Sequence, residues 1–213
     1  MSLIASVLHL DRAAIKALRV TDLYSLHRVV YSLYPDVRSE TDKADSASSG
    51  ILYADLGGDI RGRRILMLSN RMPAAQVDDQ YGQVQSKSIP EGFIRSREYA
   101  FSVVMNPTRR DSASGKLKPI KGRDAIAAWF VERAPSWGFT VDPMHLQVMS
   151  TDVQQFKEKN QRLVTLAQAN IKGRLRVTDL DQFAKSFAQG IGRGRTFGCG
   201  LLQLAPITST DPV

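Results

Sequence analysis

The sequence predicts an α+β protein made of two tandem ferredoxin-like units, each a βαββαβ run with an antiparallel four-stranded sheet. Two observations predict it. Hydrophobic periods of two and of about 3.6 alternate along the chain in that order. The order then repeats after a Pro/Gly break, SIPEG at 88–92, so that residues 1–90 and 91–213 form two domains. The halves share this pattern without obvious sequence identity.

The elements follow in order. MSLIASVLHLD at the N-terminus lacks a basic leader and a small-residue cleavage site, so residues 2–9 are expected as a strand, not a signal peptide. A helix is expected over 21–34, capped by Thr21 or Asp22 and stopped by Pro35. Leu23, Leu26, Val29, Val30 and Leu33 make its apolar stripe. RSETDKADSASSG is a polar loop. Strands are expected at 50–56 and 63–70, then an irregular crossover where the second helix is poorly marked, then a strand at 83–88. The second half gives a strand at 97–105, a helix at 123–134, strands at 138–150 and 161–177, a helix at 179–189 and a strand at 197–205.

The charge is unevenly placed. Residues 1–90 carry 11 Lys and Arg against 10 Asp and Glu, and residues 91–213 carry 18 against 11. A net of +7 in the second half, out of +8 in all, points to a polyanionic partner docking mainly there. The loop NPTRRDSASGKLKPIKGR, 106–123, holds six cations: Arg109, Arg110, Lys116, Lys118, Lys121 and Arg123. Gly115 is placed to turn a hairpin whose arms display them. FKEKNQR, 156–162, adds Lys157, Lys159 and Arg162. A charge run is commonly a solvated face, but the density in 106–123 favours phosphate contacts.

Several chemistries are disfavoured. No stretch is long and apolar enough to span a membrane. The single cysteine, Cys199, excludes internal disulfides and fits a reducing cytoplasm. His9, His27 and His145 are scattered, and no Cys/His pair has ligand spacing, so no metal and no cofactor are expected. No GxSxG elbow is present. GIGRGRTFGCG, 190–200, is not a dinucleotide loop: its glycines do not give GxGxxG, and it follows a helix and leads into a strand. Nor does it supply the rings of an RNA-recognition motif, since only Phe197 is placed to stack. It reads as a small-residue turn that brings Arg193 and Arg195 to phosphates, or as a helix C-cap at Gly190, or both.

The helix of TDLYSLHRVVYSLYP raises a further question. Tyr24, His27, Tyr31 and Tyr34 fall on a second stripe beside the apolar one. The plain alternative is that these rings only flank the core, with buried bodies and exposed tips.

Several stretches, taken together, resemble one family. DLYSLH in the first helix, ILMLSNRMP after the third strand, YAFSVVMNPT with its basic loop, and GIGRGRTFGCGLLQLAP near the end resemble the CasE family. These are the CRISPR repeat endoribonucleases of the type I-E Cascade complex. The resemblance runs from the first strand to residue 207. The polar 36–50 loop and the basic turn DIRGRR at 59–64 depart from it.

The resemblance implies catalytic roles for Tyr24 and His27, flanking the scissile phosphate. It also implies metal-independent cleavage of precursor CRISPR RNA at the 3′ base of the repeat stem, with the basic loop lying along that stem. The RNA's own 2′-hydroxyl is the nucleophile, giving a 2′,3′-cyclic phosphate and a 5′-hydroxyl. Histidine titrates near neutrality and suits proton transfer, whereas tyrosine holds its proton at neutral pH. The implied partners are the repeat hairpin, the mature guide RNA retained after cleavage, and other Cascade subunits. The competing expectation is a non-catalytic guide-RNA-binding subunit of such a complex.

Overall fold

The computed structural model describes residues 3–35 and 49–207. The chain divides into two compact units. One holds the residues up to Ile89 together with Thr196–Gly198. The other holds Pro90–Arg195 and the residues from Cys199 onward. No helix among the described residues is long and apolar enough to cross a membrane.

The first unit runs β1 (Ile4–Leu10), α1 (Arg12–Ala17), α2 (Leu23–Ser32), β2 (Ile51–Asp59), β3 (Gly62–Ser69) and β4 (Gln83–Ser88). Its sheet has the order β2-β3-β1-β4, antiparallel throughout. Along β1, Ile4, Ser6, Leu8 and Leu10 are buried, while the residues between them are half-buried or exposed. That period of two turns one face of the strand towards the helices. Leu8, Leu10, Leu26, Val30, Leu33, Tyr53, Ile65 and Met67 form the core.

Three expectations change in this unit. The sequence reading has no helix at α1, which is only six residues long. It holds because Asp11 accepts the Ala14 amide at 2.7 Å and Ala14 is buried. The poorly marked second helix does not form. Residues 70–82 make turns around one bridge, Val77 to Tyr81, and anchor through the buried Val77. Pro73 lacks an amide, and Asp78 and Asp79 take left-handed backbone at φ 50° and 56°, so no helix can run through. Finally, α2 ends at Ser32, with Leu33 as its C-cap. Of the polar segment RSETDKADSASSG, residues 38–48 lie outside the described residues, as does Ser2 of the first expected strand.

The second unit repeats the strand order. It contains β5 (Glu98–Met105), β6 (Thr108–Arg110), β7 (Leu117–Pro119), α3 (Arg123–Arg133), β8 (Phe139–Lys157), β9 (Leu163–Val177), α4 (Leu180–Gln189) and β10 (Gln203–Pro206). The main sheet is β10-β5-β9-β8, again antiparallel, and β6 and β7 make a separate hairpin. Aromatic rings dominate the core: Phe101 stacks on Phe130 at 5.5 Å and Tyr99 meets Phe183 at 5.5 Å. Ring pairs of this kind contribute about 0.5–1.5 kcal/mol beyond their buried area.

The expected strand at 197–205 is corrected to 203–206. Left-handed glycines interrupt the segment before it. At Gly200 (φ +82°) a Cβ would lie 2.2 Å from the Ile191 carbonyl oxygen, so only glycine fits.

Candidate active site and nucleic-acid interface

Helix α2 is fixed at its start by a reciprocal cap. The Ser25 amide donates to Asp22 Oδ1 at 2.7 Å, and the Asp22 amide donates to Ser25 Oγ at 2.9 Å. Tyr24 therefore sits in a well-defined first turn. Leu23, Leu26, Val29 and Val30 are buried. Leu26 and Val30 are fully so, and side chains of this size contribute roughly 1.5–3 kcal/mol each. That face supplies the fully buried contacts of the helix, and Tyr31 on the second stripe adds to them by packing against the core, with its hydroxyl 3.0 Å from Ser49 Oγ.

Tyr24, His27 and Tyr31 form that stripe and are half-buried. Tyr34 does not belong to it. It lies beyond the helix end, 5% exposed, inside the core. Burial pushes its phenol above the ordinary range, against smaller opposing effects of Ser69 and Arg71.

The His27 ring lies 4.1 Å from the Tyr31 ring, 5.8 Å from Phe197 and 6.3 Å from Tyr24. Its Nδ1 is 3.0 Å from the carbonyl oxygen of Thr196. A carbonyl oxygen only accepts, so Nδ1 carries the hydrogen. In the neutral ring the lone pair is then on Nε2. The same carbonyl accepts from the Tyr53 hydroxyl at 3.0 Å. Two donors from the first unit thus hold the Thr196–Gly198 segment against α2. Gly198 (φ +81°) permits this, since a Cβ there would crowd the Tyr53 ring at 3.2 Å. A groove of about 380 Å³ opens beside the histidine, lined by Ser25, His27, Arg28, Tyr31, Ser32 and Asp78 among others. The Tyr24 hydroxyl makes no hydrogen bond among the described residues.

The basic loop folds as the expected hairpin. Thr108 pairs with Pro119, Arg109 with Lys118 and Arg110 with Leu117. Like charges directly opposite are unfavourable. The conflict is eased by Asp111, whose carboxylate takes Lys118 Nζ at 2.8 Å. The Lys118 ammonium, aided by Ser114, holds the Asp111 carboxyl down at about 2. Arg110 turns to the Gly115 carbonyl at 2.6 Å. Arg109, Lys116 and Lys121 are exposed, without an ion pair among the described residues. Arg123 begins α3 and reaches the Met149 carbonyl at 3.5 Å.

Lys157, Lys159 and Arg162 are exposed around the β8–β9 turn, a group separate in sequence from the hairpin. Arg193 and Arg195 are exposed in the glycine-rich segment, with Arg195 donating to the Gln189 carbonyl at 2.9 Å. No three His, Cys, Asp or Glu side chains gather as a metal site among the described residues.

Sequence reasoning missed Thr196, Tyr53 and Arg28 as parts of the site, and weighed Phe197 only for base stacking. Thr196 acts through its main chain, which no residue identity reveals. The nearest sequence signal is the glycine spacing around it.

A model of the family described as CRISPR associated protein matches residues 3–206. The chain is 23% identical to the CRISPR system Cascade subunit CasE of Escherichia coli (strain K12) over 211 residues, covering 94% of this chain and all of that one. It is 26% identical over 140 residues to the CRISPR-associated endoribonuclease Cse3 of Thermus thermophilus, covering 61% of this chain and 66% of the relative. A solved structure of CRISPR endoribonuclease Cse3 bound to a 19-nt RNA superposes with a TM-score of 0.80 at 22% identity, covering 97% of this chain and all of that one. That likeness shows the tandem ferredoxin-like fold.

Proposed function

Because the chain belongs to the family of CRISPR-associated proteins, we propose that it is an endoribonuclease that cleaves CRISPR repeat RNA to give guide RNA. Relatives named as a Cascade subunit and as an endoribonuclease support this reading. The observation that carries it is the fixed His27 ring, whose Nδ1–H is held by Thr196 while Tyr24 stands on the same stripe.

Catalysis follows from that placement. The 2′-hydroxyl beside the scissile phosphate attacks phosphorus as its proton passes to Nε2 of neutral His27. The bond from phosphorus to the 5′-oxygen breaks, leaving a 2′,3′-cyclic phosphate; solvent water protonates the departing oxygen to give a 5′-hydroxyl, and His27 returns its proton to solvent. The Nδ1–H to carbonyl bond keeps the ring oriented and stabilises the imidazolium that forms. Proton transfer of this kind contributes about 10²–10⁴-fold. The Tyr24 hydroxyl hydrogen-bonds the reacting sugar and phosphate oxygens, favouring the in-line arrangement. No step calls on a metal ion.

Phosphate contacts come from the hairpin, through Arg109, Lys116, Lys121 and the partly engaged Arg110 and Lys118. Arg123, the cations of the β8–β9 turn, and Arg193 with Arg195 extend them. The cut lies at the 3′ base of the repeat stem, and the protein stays on the guide RNA as a Cascade subunit in the cytoplasm.

The test is single-turnover cleavage of a repeat hairpin by the purified protein in EDTA. Cleavage to cyclic-phosphate ends is expected. A strict need for a divalent ion overturns the mechanism, and binding without cleavage favours a guide-RNA-binding subunit instead. RNA with a 5′-thio leaving group should not rescue His27→Ala. Rescue would make His27 the acid.

A further inference from the structure

A second cavity in the first unit has no part in this chemistry. It measures about 560 Å³ and lies where the β2–β3 turn, the end of β1 and the 70–82 crossover meet. That is within the range of ligand sites, though its walls are polar, not apolar. The register of three neighbouring strands puts Arg64, His9 and Gln83 side by side in one exposed row. Arg61, on the turn, adds a second exposed guanidinium, and Gln76 and Gln80 add amides.

The charges of this cavity are unequally engaged. Arg63 is paired with Asp55. The carboxylate of Asp59 accepts the Arg61 amide, and that of Asp11 accepts the Ala14 amide. Arg61 and Arg64 have no ion pair among the described residues. Two guanidiniums without an ion-pair partner suit phosphate oxygens, because the planar fork matches them, although the Asp11 and Asp59 carboxylates share the lining. Glutamine amides both donate and accept; Gln76 Nε2 already donates to the Gly82 carbonyl at 3.3 Å, so its oxygen and the exposed Gln80 amide are the groups that meet base edges without demanding one base.

The cavity is also adjacent to the His27 groove. Val77 and Asp78 line the groove, while Gln76 and Gln80 line the cavity. One crossover therefore forms a wall of each. A nucleotide strand that leaves the groove over this crossover meets the two arginines next.

We propose that this cavity binds a single-stranded flank of the repeat hairpin, through its phosphates at Arg61 and Arg64 and its bases at the glutamines. The inference rests on the endoribonuclease reading and adds a binding subsite to it.

The experiment uses two hairpins with a 2′-deoxy nucleotide at the cleavage position. One carries single-stranded flanks and the other is trimmed at the base of the stem. The full-length protein and its R61Q/R64Q variant are titrated with both, with R133Q/K185Q as a charge-matched control elsewhere. The wild type should bind the flanked RNA more tightly. R61Q/R64Q should lose roughly tenfold or more on the flanked RNA at ~0.1 M salt, with its salt slope falling by about 1.4. The trimmed hairpin should bind as before, and the control should show no such selectivity. An equal loss on both RNAs, or none on either, overturns the subsite while leaving the endoribonuclease intact. A wild type that binds neither hairpin overturns the underlying reading instead.

Discussion

His27 donates its Nδ1 hydrogen to the main-chain carbonyl of Thr196 across 3.0 Å, joining a helix near the start of the chain to a glycine-rich turn near its end. This bond fixes the tautomer and orientation of a ring that side-chain packing alone leaves half-buried. The consequences can be measured.

His27→Ala should lower the single-turnover cleavage rate by about 10²–10⁴-fold. Hairpin affinity should stay within a few-fold of wild type. Tyr24→Phe should cost less, because the ring still packs and only the hydroxyl is lost. Both variants should melt close to wild type, since Leu26 and Val30 hold the core face. If His27→Ala cuts at the wild-type rate, α2 is not the catalytic edge. If it melts far lower, the histidine serves packing instead.

Gly198→Ala should impair cleavage by moving the Thr196 carbonyl away from His27. The added methyl meets the Tyr53 ring at 3.2 Å, on a backbone at φ +81°. Left-handed alanine costs of order 1–3 kcal/mol. Gly115→Ala is the comparison: its φ is +64°, but nothing lies within 4 Å of the new Cβ. It should destabilise the hairpin turn and leave the cleavage step intact. Equal cleavage defects in the two variants would show that the Tyr53 contact is immaterial.

Neutralising Arg109, Arg110, Lys116 and Lys118 together should weaken hairpin binding. Each lost phosphate contact should flatten the salt dependence by roughly 0.7–0.9. Unchanged affinity and slope would reduce the loop to a solvated face. The same loop makes a pH prediction. Asp111 is held at about 2, below its unfolded value, so its pairing with Lys118 is present above about pH 4 and is lost as pH falls through about 2. Carboxyl NMR should show this titration, and Lys118→Gln should move it back up.

Cys199 should resist alkylation at pH 8 in the native protein and react readily after denaturation. Burial pushes its thiol up to about 11, only partly opposed by the Gln168 amide at 3.5 Å. The thiolate is the reactive form. Native labelling at the denatured rate would refute the buried environment.

Much of this protein was decided locally. The alternating burial of β1, the caps and apolar stripe of α2, the Gly115 turn and the ring-rich second core all follow from side-chain type and spacing. These set the strand order in both units, because each element had one face to bury. The adjacency of Tyr24 and His27 also needed only helical geometry.

Other features required distant residues. The sequence marks the 70–82 crossover as irregular with only a weak second helix, and Pro73 with the left-handed Asp78 and Asp79 makes it turns throughout. It extended the second stripe to Tyr34, which the core absorbed because α2 stops at Ser32. It treated the six loop cations alike, while Asp111 and the Gly115 carbonyl engage two of them. Sequence by itself therefore determined the tandem ferredoxin-like plan, the positive second half and the residues eligible for proton transfer. Only the tertiary structure decided which nitrogen of His27 holds its hydrogen. That depends on a main-chain oxygen 169 residues away, brought into place by glycines and by the Tyr53 hydroxyl, and backbone atoms leave no mark in a pattern of side chains.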